Sequence, residues 1–269
     1  MSSGHSGNQN SMTWSPSYRR ILNKLGYYNY QQGLIYRYLK QGEAWESHLE
    51  NCRSFILKAI DFYKPVKVTV LGSGWLMDLP LAEILEKTDS VSLVDIVHPP
   101  EVISQVAGLK KVSLVESDIT GGLIEEVWTK AGKASFFKRL KDIGTIEIPE
   151  LKLSGDPGML ISLNILTQLE LLPVELLKKC NRIDNEQLVK FKAAVQKKHL
   201  DLLEKHKSVL ITDIFENCYD SSDNMSEVPS VLVNLPEGKY KEEWIWKFDL
   251  KRSDYYGKRS MYKVVAMII

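Results

Sequence analysis

The sequence predicts an α/β fold in which a mostly parallel sheet lies between two layers of helices and ends in an antiparallel hairpin. Short segments that are apolar on both faces alternate with helical segments, which is typical of parallel strands covered on two sides. Near the C-terminus, only the short polar stretch KRSDYYGKRS separates two strand-like segments, so they are expected to pair antiparallel. The seven predicted strands are residues 67–71, 90–95, 111–116, 159–163, 208–215, 244–250 and 261–269.

Helices are predicted between these strands, at residues 79–87, 100–107, 173–179 and 186–207. The last has the clearest signal. Asp184 is placed to cap its first turn, with Gln187 three residues later. Leu188, Phe191 and Val195 then recur at helical spacing, which gives the helix one apolar side.

A tyrosine-rich segment precedes the first strand. In residues 17–63, apolar and aromatic residues recur at helical spacing, with Gly26 and Gly42 as breaks and Pro65 beyond the end. We expect this helical segment to cap a pocket. Residues 1–16 are predicted to be a flexible tail, because Ser, Gly and Asn dominate its first part. Residues 64–269 are predicted to form the ligand-binding domain.

Composition argues against several functions. The 35 basic and 34 acidic residues leave a net charge of +1, so neither a nucleic acid nor a membrane surface is an expected partner. Three widely spaced cysteines (Cys52, Cys180 and Cys218) fit reduced thiols and a cytoplasmic location. No metal is expected, because no CxxC or HxxxH spacing occurs. No signal peptide or membrane span is visible in the sequence. The sequence leaves the oligomeric state open, and a homodimer is one of the alternatives.

Residues 66–95 carry the most informative motif, VKVTVLGSGWLMDLPLAEILEKTDSVSLVD. A β-branched strand runs into Gly72-Ser73-Gly74, a short helix follows, and a second strand ends at Asp95. Glycines in such a turn let the backbone approach a ligand closely, because they have no Cβ. An acid about 20 residues later is placed to accept hydrogen bonds from a ribose diol. The motif therefore predicts a nucleoside-containing cofactor.

Several motifs in order resemble a known family. VTVLGSG, SLVDIV, VESDIT and DPGMLISLNILTQL occur at the first four strands, and WIWKFDLKRSDYYGKRSMYKVVAMII ends the chain. With this order and spacing, residues 55–269 resemble the class I S-adenosylmethionine-dependent methyltransferases. The resemblance implies a Rossmann-like three-layer sandwich with a seven-stranded sheet, whose last strand is antiparallel and inserted beside the fifth.

The resemblance also implies a set of cofactor-binding residues. Gly72, Ser73 and Gly74 would pass beneath the methionine part of S-adenosylmethionine, whose amine and carboxylate bind backbone groups. Asp95 would bind the ribose hydroxyls, with Ile96 against the adenine face. At the third strand end, Asp118 would accept the adenine amino group and Ile119 would supply a backbone contact. Asn164, after the fourth strand, would lie near the amino acid part and the transferred methyl.

The chain departs from the family pattern at the turn. Leu71 stands before the first glycine, where the family usually has an acid, and Leu76 occupies the place of a third glycine. Asp78 is placed to contact the cofactor amine, or equally to cap the following helix. Structural interpretations also exist for the other residues: Asp118 suits a turn cap, and Asn164 with Gln168 suits a hydrogen-bonded loop.

The resemblance implies methyl transfer to a small-molecule acceptor. The Asn-Pro-Pro-Tyr signature of amino-methylating members is absent, and no residue is identified as a general base. One alternative is an aminocarboxypropyl transferase of the nicotianamine-synthase type, which uses the same cofactor. Another is a non-catalytic cofactor-binding scaffold, and an NAD dehydrogenase is the weakest. The acceptor pocket is expected to involve residues 17–63, 119–157 and 217–240.

Overall fold

A computed structural model describes residues 14–132, 140, 142–153, 155–180, 183–252 and 257–269. Within them an eight-stranded sheet has the order β3 (Val112–Glu116), β2 (Ser90–Asp95), β1 (Lys67–Leu71), β4 (Met159–Leu163), β5 (Ser208–Tyr219), β8 (Arg259–Ile268) and β7 (Lys239–Asp249). A further strand, β6 (Met225–Pro229), pairs with an extension of β5. The strands β1 to β5 pair in parallel, whereas β8 is antiparallel to both β5 and β7. The predicted fold class is therefore confirmed, including an antiparallel last strand inserted beside the fifth.

The helices are α1 (Pro16–Leu25), α2 (Tyr27–Tyr63), α3 (Leu81–Lys87), α4 (Pro100–Val106), α5 (Leu123–Val127), α6 (Leu171–Cys180) and α7 (Asn185–Glu204). A π-helical turn at Trp128–Gly132 and a 3-10 turn at Ile143–Thr145 lie between β3 and β4. No helix in the described ranges is long and apolar enough to span a membrane.

The predicted count of seven strands was wrong, because residues 217–240 are not simply a loop. The strand β5 continues to Tyr219 and turns back through Asp220–Asn224 contacts into β6. All five residues of β6 are exposed and lack an apolar alternation, so no local pattern marks this strand.

Two hydrophobic clusters cover the two faces of the sheet. On one face, Trp45, Phe55 and Ile56 of α2 pack with α3 and α4 against residues such as Val68 and Val70 of β1. On the other face, α5, α6 and α7 pack against alternate residues of the same strands. This double coverage explains why the central strands are apolar on both faces.

The N-terminal helical segment is interrupted at two residues, Gly26 and Gln41. Gly26 is left-handed, with φ +94°, and separates α1 from α2. Within α2, the non-helical residue is Gln41 rather than the predicted Gly42. The Gln41 amide donates to the Phe248 carbonyl and accepts from the Leu250 N–H, so this kink ties α2 to the end of β7.

The predicted flexible tail extends too far into the chain. Residues 1–13 lie outside the described residues, but Ser15 caps α1 and Pro16 is its first residue. Trp14 is also in place: its indole N–H donates to the Ile96 carbonyl at 2.7 Å. A third cluster forms here, with Tyr18 and Leu22 of α1 buried beside Val97 and Ile124.

Candidate functional site

The turn after β1 lies at the carboxyl edge of the parallel strands, where ligands bind in open α/β sheets. The N–H groups of Gly72 and Ser73 both donate to the Val94 carbonyl, which holds the turn against the end of β2. The backbone is left-handed at Gly72 (φ +80°), Gly74 (φ +50°) and Leu76 (φ +60°). Leu76 thus keeps a conformation that favours glycine, while its buried side chain joins the core on the α2 face.

The two glycines are required for different reasons. A Cβ on Gly72 would lie 2.7 Å from the Cβ of Ile165 and 3.1 Å from the Leu163 carbonyl oxygen. A Cβ on Gly74 would meet no atom nearer than 4.0 Å. Gly72 therefore permits close packing against the segment after β4, whereas Gly74 borders open space.

That open space is a cavity of about 120 Å³, which we name the main cavity. Six of the eight predicted site residues line it, namely Gly72, Ser73, Gly74, Asp95, Ile96 and Asn164. Tyr27, Tyr30, Gln31 and Leu34 of α2 also line it, so the N-terminal helices contribute to its wall. Asp118 and Ile119 are not among the lining residues.

Asp95 is buried at the end of β2, and its carboxylate clamps the turn. One oxygen accepts from the Gly74 N–H and the other from the Ile96 N–H, both at 2.7 Å. Burial raises the pKa of Asp95 above its ordinary value, although these N–H groups and His98 act in the opposite direction. The carboxylate therefore lacks a close cation that would fully offset its desolvation.

A second carboxylate, Asp78, lies on the same wall. It does not cap α3, whose N-cap is Pro80, so that interpretation was wrong. Instead its Oδ2 accepts from the Asn164 amide at 2.8 Å. Burial raises the pKa of Asp78 as well, against the opposing effects of Asn164 and Arg53.

Asn164 links Asp78 to a buried histidine and cysteine on α2. Its amide nitrogen is 3.3 Å from His48 Nε2 and 3.8 Å from Cys52 Sγ. Within the described residues, His48, Cys52 and Asp78 form the group whose ligand atoms lie close enough to hold a metal, within 4.8 Å of one another. The sequence signal for this group, a His and a Cys four residues apart on a helix, was overlooked.

The hydrogen bonds of His48 do not suit metal binding through Nε2. The Trp244 indole N–H donates to His48 Nδ1 at 3.0 Å, so the neutral ring carries its proton on Nε2. A metal on Nε2 would move that proton to Nδ1, opposite the Trp244 donor. Burial lowers the pKa of His48 to about 3, which keeps the ring neutral. We therefore interpret the group as a buried polar cluster in which the His48 Nε2–H donates to Cys52 Sγ at 3.6 Å, while the Asn164 amide donates to Asp78 rather than to His48.

Three buried polar atoms on the wall of the main cavity have no partner. They are Gln31 Oε1, Ser73 Oγ and Asn164 Oδ1. Buried polar atoms are normally hydrogen-bonded, so three unpaired ones around one cavity indicate a polar ligand. Gln168, in contrast, has a structural use, because its amide donates to the Asn164 carbonyl.

Asp118, which follows β3, caps the turn that leads into α5. Asp118 accepts from the N–H groups of Thr120, Gly122 and Ile124, and from the Tyr18 hydroxyl at 3.4 Å. Trp14 stacks on Tyr18, with ring centroids 4.3 Å apart. Helix α1 thus covers the edge where Asp118 was predicted to meet adenine.

A second cavity of about 200 Å³, which we name the carboxylate cavity, adjoins the main cavity. Tyr30, Leu34, Gln168, Leu171 and Trp246 line both. The other lining residues include the acids Glu170, Asp213 and Glu216 and the aromatic residues Phe248 and Tyr262. None of these acids carried a sequence signal, since each becomes part of a site only through contacts between distant segments.

No protein family and no curated protein sequence matches this chain. Among solved structures, Burkholderia thailandensis 1,6-didemethyltoxoflavin-N1-methyltransferase, with 1,6-didemethyltoxoflavin and S-adenosylhomocysteine bound, is 12% identical, with a TM-score of 0.41 over 96% of this chain and 92% of that one. Precorrin 8w decarboxylase of Methanobacterium thermoautotrophicum is 14% identical, with a TM-score of 0.26 over 78% and 87%. The plantazolicin methyltransferase BpumL, in complex with S-adenosylhomocysteine, is 10% identical, with a TM-score of 0.27 over 92% and 99%. At these values none of the three bears on function.

Proposed function

We propose that this protein is an S-adenosylmethionine-dependent methyltransferase that acts on a small molecule. The observation that carries the proposal is a charge imbalance at a glycine turn. Asp78 and Asp95 both line the main cavity, and burial raises the pKa of each carboxyl group. A ligand that brings an ammonium and a sulfonium would supply the missing positive charges.

The chain's residues fit the two polar parts of such a cofactor. Asp95 would accept hydrogen bonds from the ribose hydroxyls and hold the turn through Gly74. Ser73, whose hydroxyl has no partner, would donate a hydrogen bond to the amino acid carboxylate. Asp78 would bind the ammonium group, and Asn164 would offer its unpaired oxygen beside it. Ile96 would contact the adenine face.

The adenine end requires a movement of α1. Cavities that hold small organic ligands usually measure about 300–1,000 Å³, whereas the main cavity measures about 120 Å³. In addition, the Tyr18 hydroxyl donates a hydrogen bond to the Asp118 carboxylate, which was predicted to bind adenine. We propose that α1 withdraws about Gly26 when the cofactor binds, which would free Asp118 and Ile119 for their predicted adenine contacts.

The protein's contribution to catalysis would be alignment and exclusion of water. The cofactor supplies an electrophilic methyl group with its own leaving group, so the chain needs to orient the acceptor rather than to form a covalent intermediate. Such positioning is worth about 7–11 kcal/mol of barrier in favourable cases. The shared wall of Tyr30, Leu34 and Trp246 would exclude water from the space between cofactor and acceptor.

The acceptor class follows from charge and sequence. A net charge of +1 gives no field that attracts nucleic acid, and the signature for methylation of planar amino groups is absent. The adjoining cavity measures about 200 Å³, which is below the usual range for organic ligands and leaves room only for a small molecule.

Isothermal titration with S-adenosylmethionine and S-adenosylhomocysteine tests the proposal. We expect both to bind with micromolar affinity, and Asp95→Asn to weaken both, while the exposed Asp89→Asn does not. Absence of binding at high micromolar concentrations would overturn the proposal. Product analysis during turnover separates the reactions: S-adenosylhomocysteine identifies methyl transfer, and methylthioadenosine identifies aminocarboxypropyl transfer.

A further inference from the structure

The carboxylate cavity lies at the methionine end of the proposed cofactor site. It shares Gln168 and Leu171 with the main cavity, and the Gln168 amide donates to the carbonyl of Asn164, whereas Asp95 and Ile96 do not line it. A molecule in it would therefore lie beside the end of the cofactor that carries the methyl group. This position makes the cavity a candidate for the acceptor site.

Its polar lining is acidic. Asp213 of β5 accepts a hydrogen bond from the Thr167 hydroxyl at 2.6 Å, and Glu216 accepts from the hydroxyls of Ser260 and Tyr262. Glu170 precedes α6. The described lining residues thus comprise three carboxylates against one ammonium, that of Lys192, which leaves two negative charges in excess when all are ionised.

One of these acids has an oxygen without a partner. Glu170 is only 1% exposed; its Oε1 accepts from the Gln196 amide at 3.2 Å, whereas its Oε2 has no hydrogen-bond partner. A carboxylate oxygen buried in this way is costly unless a donor reaches it. Because Glu170 lines the cavity, a ligand that carries hydrogen-bond donors, such as the N–H groups of an amine, could reach this oxygen.

Aromatic rings form the other part of the wall. Trp246 packs edge-on against Phe248 at 4.8 Å between centroids, and Tyr262 lies 4.8 Å from Phe248. Rings of this kind attract cations through their faces. Phe248 itself is already in contact with Arg37, whose guanidinium lies 4.4 Å from the ring centre and pairs with Asp249, and with the stacked Trp45, so its edge is what it offers the cavity.

The acids are too dispersed to hold one metal ion. In the part of the chain that the structure describes, His48, Cys52 and Asp78 are the group of three such residues whose ligand atoms converge within 4.8 Å. Glu170, Asp213 and Glu216 do not form such a group. An extended organic cation, with its charge near one acid and its carbon body on the rings, fits this arrangement better than a metal.

The electrostatics agree with this geometry. Burial raises the pKa of Glu170 to about 8, and burial followed by the charge of Glu216 raises that of Asp213. Burial, and next the charge of Asp213, raises the pKa of Tyr30 to about 12. Lys192 lowers the pKa of Glu170 and Arg37 lowers that of Tyr30, but burial outweighs both cations.

We propose that the carboxylate cavity binds the methyl acceptor and that this acceptor is a small amine, bound as its ammonium ion. This assignment rests on the proposed function, since it places the amine beside the methyl group. Asp213 and Glu216 pair with the ammonium, and the rings of Trp246, Phe248 and Tyr262 contact its carbon body. Glu170 accepts one of the ammonium N–H groups and would take that proton before transfer. The freed nitrogen lone pair would then form the N–C bond as the S–C bond of the cofactor breaks, which yields the methylated ammonium, S-adenosylhomocysteine and protonated Glu170. Neutral and anionic molecules of the same shape are disfavoured.

Titration calorimetry on the full chain with phenethylamine as the probe tests the assignment. The neutral 2-phenylethanol and the anionic phenylacetate are the matched ligands. We expect phenethylamine to bind about tenfold or more tightly than either. Glu216→Gln and Asp213→Asn should remove this preference while leaving the affinity for 2-phenylethanol unchanged. Glu227→Gln, an exposed position on the neighbouring β6, is the control for loss of one carboxylate.

Parallel titration with S-adenosylhomocysteine separates the two proposals. If the cofactor product binds but phenethylamine binds no better than 2-phenylethanol, the amine assignment is wrong and the proposed function stands. If phenethylamine shows its charge preference and S-adenosylhomocysteine does not bind, the cation site stands and its role as a methyl-acceptor site is lost. Thermal unfolding shows whether each variant is folded. If Asp213→Asn does not fold, Glu216→Gln alone tests the charge preference.

Discussion

The Asp95 carboxylate accepts a hydrogen bond from the Gly74 backbone N–H at 2.7 Å, which joins the end of β2 to the turn after β1. The same carboxylate accepts from the Ile96 N–H. Asp95 therefore has two tasks: it holds the glycine turn in its left-handed conformation, and it is the proposed acceptor for the ribose hydroxyls.

Substitution of Asp95 should separate these tasks. Asp95→Asn keeps one oxygen for one of the two backbone N–H groups, places an NH2 donor opposite the other and loses the charge. We expect a decrease in S-adenosylmethionine affinity of about tenfold, since hydrogen bonds to charged groups contribute about 1.5–3 kcal/mol, together with a smaller loss of stability than in Asp95→Ala. Asp95→Ala leaves the N–H groups of Gly74 and Ile96 unpaired, which should also lower the free energy of unfolding by about 1–3 kcal/mol. Calorimetry and urea unfolding measure the two effects. Unchanged affinity in Asp95→Asn would remove Asp95 from the ribose site.

Local sequence patterns predict the parts of the fold that local forces specify. The strands β1, β2 and β4 have the predicted bounds, because each is an apolar run between turn or helix signals. The extension of β5 was missed, since residues 216–219 form a strand by pairing with both β6 and β8, and no local apolar pattern marks them. The kink in α2 lies at Gln41, whose side chain is hydrogen-bonded to backbone groups at the end of β7. Because these partners are more than 200 residues away, no local pattern indicates the kink.

The same distinction applies to the site. The glycine turn and Asp95 follow from a short motif, because strand, turn and acid lie within 30 residues. The contacts of Asn164 with Asp78 and His48 join segments 86 and 116 residues apart, so no spacing rule indicates them. The cover that α1 forms over Asp118 is of the same kind, since it depends on how a helix 100 residues earlier packs.

The two turn glycines should respond differently to alanine. Gly72→Ala forces a Cβ to within 2.7 Å of Ile165, so we expect a loss of unfolding free energy of about 2 kcal/mol or more. Gly74→Ala meets no atom within 4 Å other than the Gly72 carbonyl oxygen at 4.0 Å, so its stability cost should be limited to the left-handed backbone, about 1 kcal/mol. Because its Cβ borders the main cavity, it should weaken cofactor binding.

Gly108 provides the matched control for this pair. It has φ +84°, no atom within 4 Å of an added Cβ, and a position in the loop between α4 and β3. Gly108→Ala should therefore show the backbone cost of Gly74→Ala without its effect on affinity. Equal cofactor affinities for the Gly74 and Gly108 variants would contradict a ligand contact at Gly74.

Tyr18→Phe should increase cofactor affinity. The Tyr18 hydroxyl donates to Asp118 in a buried contact, and this bond favours the arrangement in which α1 covers the adenine end. Its removal weakens that arrangement by about 0.5–1.5 kcal/mol, which corresponds to a gain in affinity of roughly two- to tenfold. Tyr28→Phe, in the same hydrophobic cluster, is the control. A decrease in affinity for Tyr18→Phe would indicate instead that α1 closes over the bound cofactor.

Acid should destabilise the fold through its buried neutral histidines. Burial lowers the pKa of His199 to about 4 and that of His48 to about 3, from an ordinary value of 6.5. Since the unfolded chain binds protons first, each ring's contribution is fully present above pH 6.5 and is lost as the pH falls toward the folded-state value. For His199, whose Nε2 lies 2.8 Å from the Ser162 hydroxyl, the loss amounts to at most about 3 kcal/mol. The buried carboxyl groups, whose pKa values are raised, act in the opposite direction, so the comparison must be made between variants.

His199→Asn should flatten the dependence of unfolding free energy on pH between about 6.5 and 4, as measured by urea unfolding at each pH. His206→Asn, at a less buried position just after the same helix, should keep the slope of the natural chain. Equal slopes in the two variants would rule out His199 as the source of this pH dependence.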